Sequence, residues 1–236
     1  MPPPEKGLHL KGLRGFTLAE VLITLGIIGV VAALTLPAVI TNTQNKERQE
    51  ALKKAYSVLQ QALLLYQKDT GENITPSTFN TKGVSLKKAI LPYFNGAIDC
   101  GSNIADTECL YNSRSVTYMD YNNKYKLSFA LLDDGQYIVT DGMMYFFENE
   151  NLGTPDTPRD VFIFVDVNGF NKKPNQLGRD LFVFELIKNG KLLPMGADGT
   201  KYNENVYCTK TNPTTINGIA CTNKALYDAS FWKGKI

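Results

Sequence analysis

The feature that most constrains this chain is an apolar run close to its N-terminus, from Phe16 to Ile40. The run contains one charged residue, Glu20, and no lysine or arginine. A helix of this length spans about 37 Å, which is enough to cross a hydrocarbon layer of about 30 Å. The sequence therefore predicts a membrane-spanning helix over residues 16–40.

A basic segment precedes the apolar run. Residues 1–15 carry Lys6, Lys11 and Arg14 against Glu5, a net charge of +2. Basic residues before a span favour the cytoplasmic side, so we expect the rest of the chain to lie outside the cytoplasm, anchored in the inner membrane. Taking these residues from totals of 25 basic and 23 acidic leaves 22 of each, and this balance does not indicate nucleic-acid binding.

Two ordinary interpretations of the apolar run compete. A secretory signal peptide has an apolar region of about 7–15 residues that ends in a small-x-small cleavage site. This run is longer, and Ala32 and Ala33 are not followed by such a site. A plain signal anchor that is retained in the membrane is compatible with the hydropathy and stays open.

The junction between the leader and the run carries a more specific pattern. It reads Lys11-Gly12-Leu13-Arg14-Gly15-Phe16-Thr17-Leu18-Ala19-Glu20. This pattern resembles the processing site of type IV prepilins and type II secretion pseudoprepilins. The resemblance implies that a prepilin peptidase cuts between Gly15 and Phe16 and methylates the new N-terminus at Phe16. Gly26, Gly29 and Pro37 also match positions where the family often carries glycine or proline.

Glu20 requires an explanation because a carboxylate costs about 2.5–3.5 kcal/mol at mid-bilayer. One interpretation is that Glu20 lies near the helix end and reaches the membrane interface. The resemblance implies another, in which the Phe16 ammonium of one subunit meets Glu20 of its neighbour during assembly. Pro37 removes one helical hydrogen bond, so we also expect the helix to bend or melt locally near Leu34–Pro37.

Beyond Ile40 the chain becomes polar and amphipathic. Apolar residues recur at three- and four-residue steps, at Ala51, Leu52, Ala55, Val58, Leu59, Ala62, Leu63 and Tyr66. Gly71 is a plausible helix stop. The sequence therefore predicts one nearly continuous helix over residues 16–70, about 80 Å long, half in lipid and half packed on a head domain over residues 71–236.

Short β-prone runs punctuated by turn residues make up most of the head. The strand candidates are Tyr125–Leu131, Gln136–Thr140, Met143–Phe147, Val161–Val167 and Leu181–Ile187. Asp134-Gly135 and Asn189-Gly190 predict hairpin turns, and Val84–Phe94 predicts a short helix. The predicted fold class is α+β, a pilin-like lollipop whose long N-terminal helix packs on an antiparallel sheet.

The four cysteines, Cys100, Cys109, Cys208 and Cys221, do not show the C-x-x-C spacing of metal or redox motifs. An even count in an exported domain favours two disulfides. The local pairing of the first two and of the last two is our first choice among three connectivities. Each bond would contribute about 2–3 kcal/mol. Four free thiols are the alternative.

An Asx-rich segment between the last two strand candidates could bind calcium. Oxygens of Asp166, Asn168 and Asp180 suit a hard cation, although the bidentate glutamate of an EF-hand is missing and Lys172 and Lys173 would oppose it. Some pseudopilins carry calcium in a loop of the sheet, so the resemblance also raises this possibility. The alternative is a turn whose side chains satisfy its own backbone.

The sequence is poor in catalytic residues. The single histidine, His9, lies in the leader, so a processed chain could build neither a Ser-His-Asp triad nor a histidine-ligated zinc site. The acidic pair Asp133-Asp134 is not opposed by a second group across a recognisable cleft. We therefore expect no enzymatic activity and, calcium aside, no cofactor.

The sequence-based prediction is a structural subunit, a pseudopilin or minor pilin, of a type IV pilus or type II secretion pseudopilus. The resemblance implies four kinds of partner: prepilin peptidase, other pilin or pseudopilin subunits, an inner-membrane assembly platform, and membrane lipid before assembly. The alternative is a membrane-anchored extracytoplasmic binding module, such as an adhesin or a DNA-uptake tip protein. An enzyme on a signal anchor comes third.

Overall fold

The computed structural model describes residues 15–78, 86–101, 109, 117–148, 153–154, 157–158 and 160–233. The chain divides into two compact units, Met1–Thr43 and Gln44–Ile236. The division falls inside the first helix, so the second half of that helix belongs to the same unit as the sheet.

Helix α1 extends over Leu18–Thr70, in agreement with the predicted long helix. It ends at Gly71, which has a φ of +70° and donates its N–H to the carbonyl of Gln67, as a glycine helix stop does. Residues 34–37, where we predict a bend or melting, are helical in the structure. The hydroxyl of Thr41 donates a hydrogen bond to the carbonyl of Pro37. This side-chain hydrogen bond spans the turn of α1 that follows the proline.

The described residues of the second unit form, after α1, short helices and eight strands. In chain order these are α2 (Leu86–Ile90), β1 (Ile98–Asp99), β2 (Gln136–Ile138), β3 (Met144–Glu148), β4 (Gly153–Thr154), β5 (Thr157–Pro158), β6 (Val161–Asp166), β7 (Leu181–Leu186), β8 (Leu192–Pro194), α3 (Glu204–Tyr207) and α4 (Thr222–Tyr227). Six strands form one antiparallel sheet in the order β1-β2-β3-β6-β7-β8, and β4 pairs with β5 in a separate ribbon. The predicted α+β fold with an antiparallel meander is confirmed.

One face of the sheet packs on the second half of α1. The buried apolar residues of the helix are Leu52, Ala55, Leu59 and Ala62. They share a core with Tyr145, Phe147, Ile163, Val165, Phe182 and Phe184 of the central strands. Tyr56 stacks on Phe184 with ring centroids 5.1 Å apart. These side chains alternate along each strand, which is why the strands present them to one face.

The other face of the sheet is also covered. Met144, Phe146, Phe164 and Val183 point to this face and pack with residues of the loops and the C-terminal region, including Tyr118, Leu177, Met195 and Ile219. Because both faces are buried, β3, β6 and β7 are apolar almost throughout. The continuous apolar runs in the sequence are thus explained by a sheet that lies between two layers.

One strand prediction is wrong. Tyr125–Leu131 forms an isolated bridge at Lys126 and a 3₁₀ turn over Phe129–Leu131. The carboxylate of Asp120 accepts the backbone N–H groups of Lys124 and Tyr125 at 2.6 and 2.8 Å, so these donors are used in a local turn. Asp134-Gly135 consequently does not close a hairpin.

One of the hairpin turns lies elsewhere. The β2–β3 hairpin closes at Asp141-Gly142, where Gly142 has a φ of +86° and donates to the carbonyl of Val139. The β7–β8 hairpin closes at Asn189-Gly190, as predicted. The predicted helix over Val84–Phe94 is present as α2 followed by a 3₁₀ turn over Leu91–Tyr93, its first two residues lying outside the described residues.

The cysteines form two disulfides, Cys100–Cys109 and Cys208–Cys221, which is the first of the three connectivities considered. The first joins Cys100, which directly follows β1, to Cys109. The second ties the end of α3 to the turn that leads into α4. Both disulfides lie in the second unit. They restrict the conformations that the unfolded chain can adopt and thereby stabilise the folded state.

Candidate processing and assembly site

The N-terminus of α1 is capped by three reciprocal hydrogen bonds between Thr17 and Glu20. The Thr17 N–H and hydroxyl donate to Oε2 of Glu20 at 2.8 and 2.7 Å, and the Glu20 N–H donates back to the Thr17 hydroxyl at 3.3 Å. This is a capping box, which satisfies backbone donors that have no partner within the helix. The Thr-x-x-Glu spacing was readable in the sequence, but our sequence interpretation missed this role.

The Gly15–Phe16 peptide bond lies immediately before this cap, outside the helix. Phe16 is 89% exposed, and a side chain added at Gly15 would meet no atom within 4 Å. A peptidase needs an extended, unobstructed backbone at the bond it cuts. The predicted cleavage point is therefore accessible, and the first helical turn starts two residues beyond it.

The first half of α1 presents an apolar surface all round. Its large apolar side chains from Leu18 to Ile40 are 41–79% exposed. Such a surface is far larger than the patches that monomeric proteins expose to water, so it needs lipid or protein to cover it. Among the described residues, α1 is the helix long and apolar enough to cross a membrane. Gly26 and Gly29 lie on this segment and have open space around them.

Comparison with known proteins bears on this segment. A family model described as the prokaryotic N-terminal methylation motif matches residues 11–36. The chain carries a prepilin-type N-terminal methylation motif. The motif includes Gly15, Phe16 and Glu20, whereas Pro37 lies one residue beyond it.

A curated relative matches the same end of the chain. The type II secretion system core protein G of Pectobacterium carotovorum subsp. carotovorum is 40% identical over 65 residues, which is 28% of this chain and 40% of that protein. The chain therefore spans less than half of that relative's length, and most of the second unit lies outside the match. No solved structure matches the chain significantly.

The predicted calcium ligands lie in the loop between β6 and β7. Asp166 is fully buried; its Oδ1 accepts the N–H groups of Asn168 and Gly169 at 3.2 and 2.9 Å, and its Oδ2 accepts the Tyr118 hydroxyl at 2.7 Å. Asp180, also fully buried, accepts two further backbone N–H groups of the loop at 2.8 and 2.6 Å. These bonds are those of the Asx-rich turn that we considered as the alternative.

The loop also offers oxygens that suit a hard cation. Oδ1 of Asn168 and Oδ1 of Asn175 are buried and accept no hydrogen bond. Burial, followed by the repulsion of nearby Asp180, raises the pKa of Asp166 to about 7. A dication held by Asp166, Asn168 and Asp180 would relieve that repulsion and use the free amide oxygen. The donor chemistry fits calcium, and calcium binding stays a prediction.

A second acidic cluster lies where the end of β3 meets the segment that precedes β2. Carboxylate oxygens of Asp133, Asp134 and Glu148 lie within 4.8 Å of one another. Burial and the neighbouring Asp134 raise the pKa of Asp133. The sequence pointed to the first two residues only, because Glu148 is brought to them by the β2–β3 hairpin.

Proposed function

We propose that this chain is a membrane-anchored structural subunit, a pseudopilin or minor pilin, of a type IV pilus or type II secretion pseudopilus. The observation that carries the proposal is an exposed, largely apolar helical segment that begins at Leu18, inside the methylation motif. Prepilin peptidase cuts between Gly15 and Phe16 and methylates Phe16. The same helix then serves twice, as a membrane anchor and as the core of a filament.

Assembly requires the apolar helix to leave lipid without exposing its surface to water. Packing beside the same helix of other pilin or pseudopilin subunits replaces lipid contacts with protein contacts. Glu20 leaves together with a counter-charge, the Phe16 ammonium of a neighbouring subunit. In this proposal the inner-membrane assembly platform drives the transfer, the second unit faces the extracytoplasmic side, and the protein catalyses no reaction.

A processing experiment tests the proposal. Gly15→Ala should abolish cleavage, because the motif places glycine directly before the cut. The full-length precursor then accumulates in the membrane fraction on an immunoblot. Gly12→Ala, in the same leader but three residues from the cut, is the matched control and should be processed normally. Processing of Gly15→Ala at the wild-type level would contradict the proposal.

A further inference from the structure

A groove lies between the second half of α1 and strand β8, within the second unit. Its volume is about 480 Å³. The apolar side chains that line it are Tyr56, Leu63, Leu64, Ile74, Leu192 and Leu193. We call this site the α1–β8 groove. Leu64 is 63% exposed, so the groove leaves one large apolar side chain open to water.

Tyr227, at the end of α4, extends this apolar surface beyond the groove. It is 70% exposed. It lies beside Tyr56, since burial and then the neighbouring Tyr227 raise the pKa of Tyr56. Leu64 and Tyr227 are therefore both open to water around one groove. Contiguous apolar surface of this kind, unlike a single exposed leucine, marks an interaction site.

The edge of β8 is largely closed to a further strand. β8 lies at one edge of the sheet, but the Tyr56 hydroxyl donates to the carbonyl of Leu192 at 3.2 Å. Pro194 has no N–H, and its carbonyl accepts the N–H of Ala197 at 3.1 Å. Few backbone groups of β8 are left for strand pairing. The groove therefore fits side chains of a partner better than an added β-strand.

The polar groups of the groove indicate what the partner carries. Among the described residues that line it, Lys191 is the one charged side chain. Gln60, Gln67 and Asn73 add exposed carboxamides, which both donate to and accept from other amides. An apolar side chain accompanied by carboxylate and amide groups matches this lining in charge and in polarity.

Such a combination is present elsewhere in the same unit. Val206 in α3 is 49% exposed, and α3 belongs to the layer that covers the sheet face opposite to α1. Asp198, Glu204 and Asn205 line a polar cleft of about 360 Å³ beside it. Asp198 is exposed, and Glu204 lies 3.9 Å from Lys224, so the two carboxylates outnumber the nearby cation. We define the acidic knob as Asp198 together with α3.

Other exposed large apolar side chains in the described part of the second unit match the groove less well. Ile98 is followed by an aspartate that is already paired with a buried lysine. Tyr125 lies between two lysines, whose charge would oppose Lys191. Leu65 lies on α1 beside the groove itself. Val206, with its acidic neighbours, is therefore the complement that this chain offers.

We propose that the acidic knob of one copy of this chain docks in the α1–β8 groove of another copy. Knob and groove lie on opposite faces of one sheet, so a copy does not fill its own groove. A contact between two different surfaces of identical chains repeats from copy to copy, and it gives a polymer where the rotation does not close a ring. The inference rests on the proposed function, because it names a contact between assembled subunits.

Site-specific photo-crosslinking in cells tests the contact on the full chain. The photoreactive residue p-benzoylphenylalanine replaces Leu64. After irradiation we expect a dimer of this chain, with the adduct on the tryptic peptide of residues 202–210, which contains Val206. Leu65 is the matched control position, because it is exposed on the same helix but does not line the groove. It should give at least about fivefold less of this adduct.

Charge reversal tests the pairing of the two surfaces. Lys191→Glu alone and Asp198→Lys alone should each lower the adduct about fivefold, because each places like charges opposite each other. The two substitutions in one chain recreate an opposite pair between copies and should restore at least about half of the adduct. Lys188→Glu is the control, since Lys188 is exposed near the same turn but does not line the groove.

The outcomes separate this inference from the proposed function, because the N-terminus of the chain is determined in the same samples. A chain that begins at Phe16 but gives no adduct between Leu64 and residues 202–210 would overturn the inference alone. An adduct on a different protein or on another part of this chain, or a double variant that regains nothing, would also overturn it. A chain that retains residues 1–15 and gives no adduct would overturn both.

Discussion

At the scale of single residues, Glu20 shows how one carboxylate can serve local structure and still need a partner. Its bonds with Thr17 cap α1, but N–H and O–H donors do not neutralise a full charge in lipid. The capping role and the assembly role can therefore be separated by a substitution that keeps the hydrogen bonds and removes the charge. Glutamine is such a residue, since it also forms capping boxes.

Glu20→Gln should leave membrane insertion, cleavage and methylation intact and should lower assembly into filaments about tenfold or more, because the counter-charge pairing is lost. Filament yield by shearing and immunoblot measures the effect. Glu50→Gln is the control, because Glu50 is an exposed residue of the same helix outside the apolar run. Normal assembly of Glu20→Gln would count heavily against the pairing.

The buried Asp166 predicts an unusual pH dependence. Its pKa is raised to about 7 by burial and by Asp180, whereas an unfolded chain has an aspartate pKa near 3.9. The folded state thus holds a proton that the unfolded state releases, so the stability contributed by this group falls as pH rises from about 4 to about 7. Without calcium, the free energy of unfolding should be about 1–2 kcal/mol larger at about pH 5.5 than at about pH 7.5, relative to the same comparison in Asp166→Asn. Equal pH slopes in urea melts of the two proteins would contradict this assignment.

The calcium prediction is tested in the same loop. Calcium that binds the folded state and not the unfolded chain should raise the melting temperature at neutral pH, and a chelator should reverse the rise. Asp180→Asn should abolish the response. Asp198→Asn, in a turn of the second unit that is distant in sequence, is the control and should keep it. A melting temperature that is unchanged by calcium would contradict calcium binding and would favour the alternative, the Asx-rich turn.

At the scale of elements, the two halves of α1 have different surroundings. Its first half is apolar all round and exposed, whereas its second half buries a narrow stripe against the sheet. The three- and four-residue spacing predicted that stripe correctly because a packed helix face follows helical geometry. The hairpin at Asn189-Gly190 was equally predictable from its turn residues.

The stripe itself can be tested by a pair of leucines on α1. Leu59 is 0% exposed and Leu64 is 63% exposed. Leu59→Ala should lower the free energy of unfolding by about 2–5 kcal/mol through lost burial and the cavity left behind. Leu64→Ala should change it by less than about 0.5 kcal/mol. Similar denaturant midpoints for the two variants would contradict the packing described here.

Other elements could not be predicted from local sequence. The segment Tyr125–Leu131 has strand-like composition, yet the Asp120 carboxylate draws its backbone into a turn. The Asn45 side chain donates to the carbonyl of Trp232, 187 positions away, and only the folded chain brings these residues together. Glu148 joins the acidic pair for the same reason.

At the scale of the whole molecule, the proposed function requires that the N-terminal helix contacts lipid first and other subunits afterwards. The methylation motif and the exposed apolar helix fall on the same segment, and the relative found among known proteins matches that same end of the chain. The second unit, by contrast, has a sheet that is covered on both faces and two disulfides.

The most direct measurement is the mass of the N-terminal peptide of the protein recovered from native filaments. The account predicts a polypeptide that begins at Phe16, carries one methyl group on its amino terminus, and sediments with other subunits in a polymer. A polypeptide that begins at Met1, or one that never enters a polymer, would contradict it.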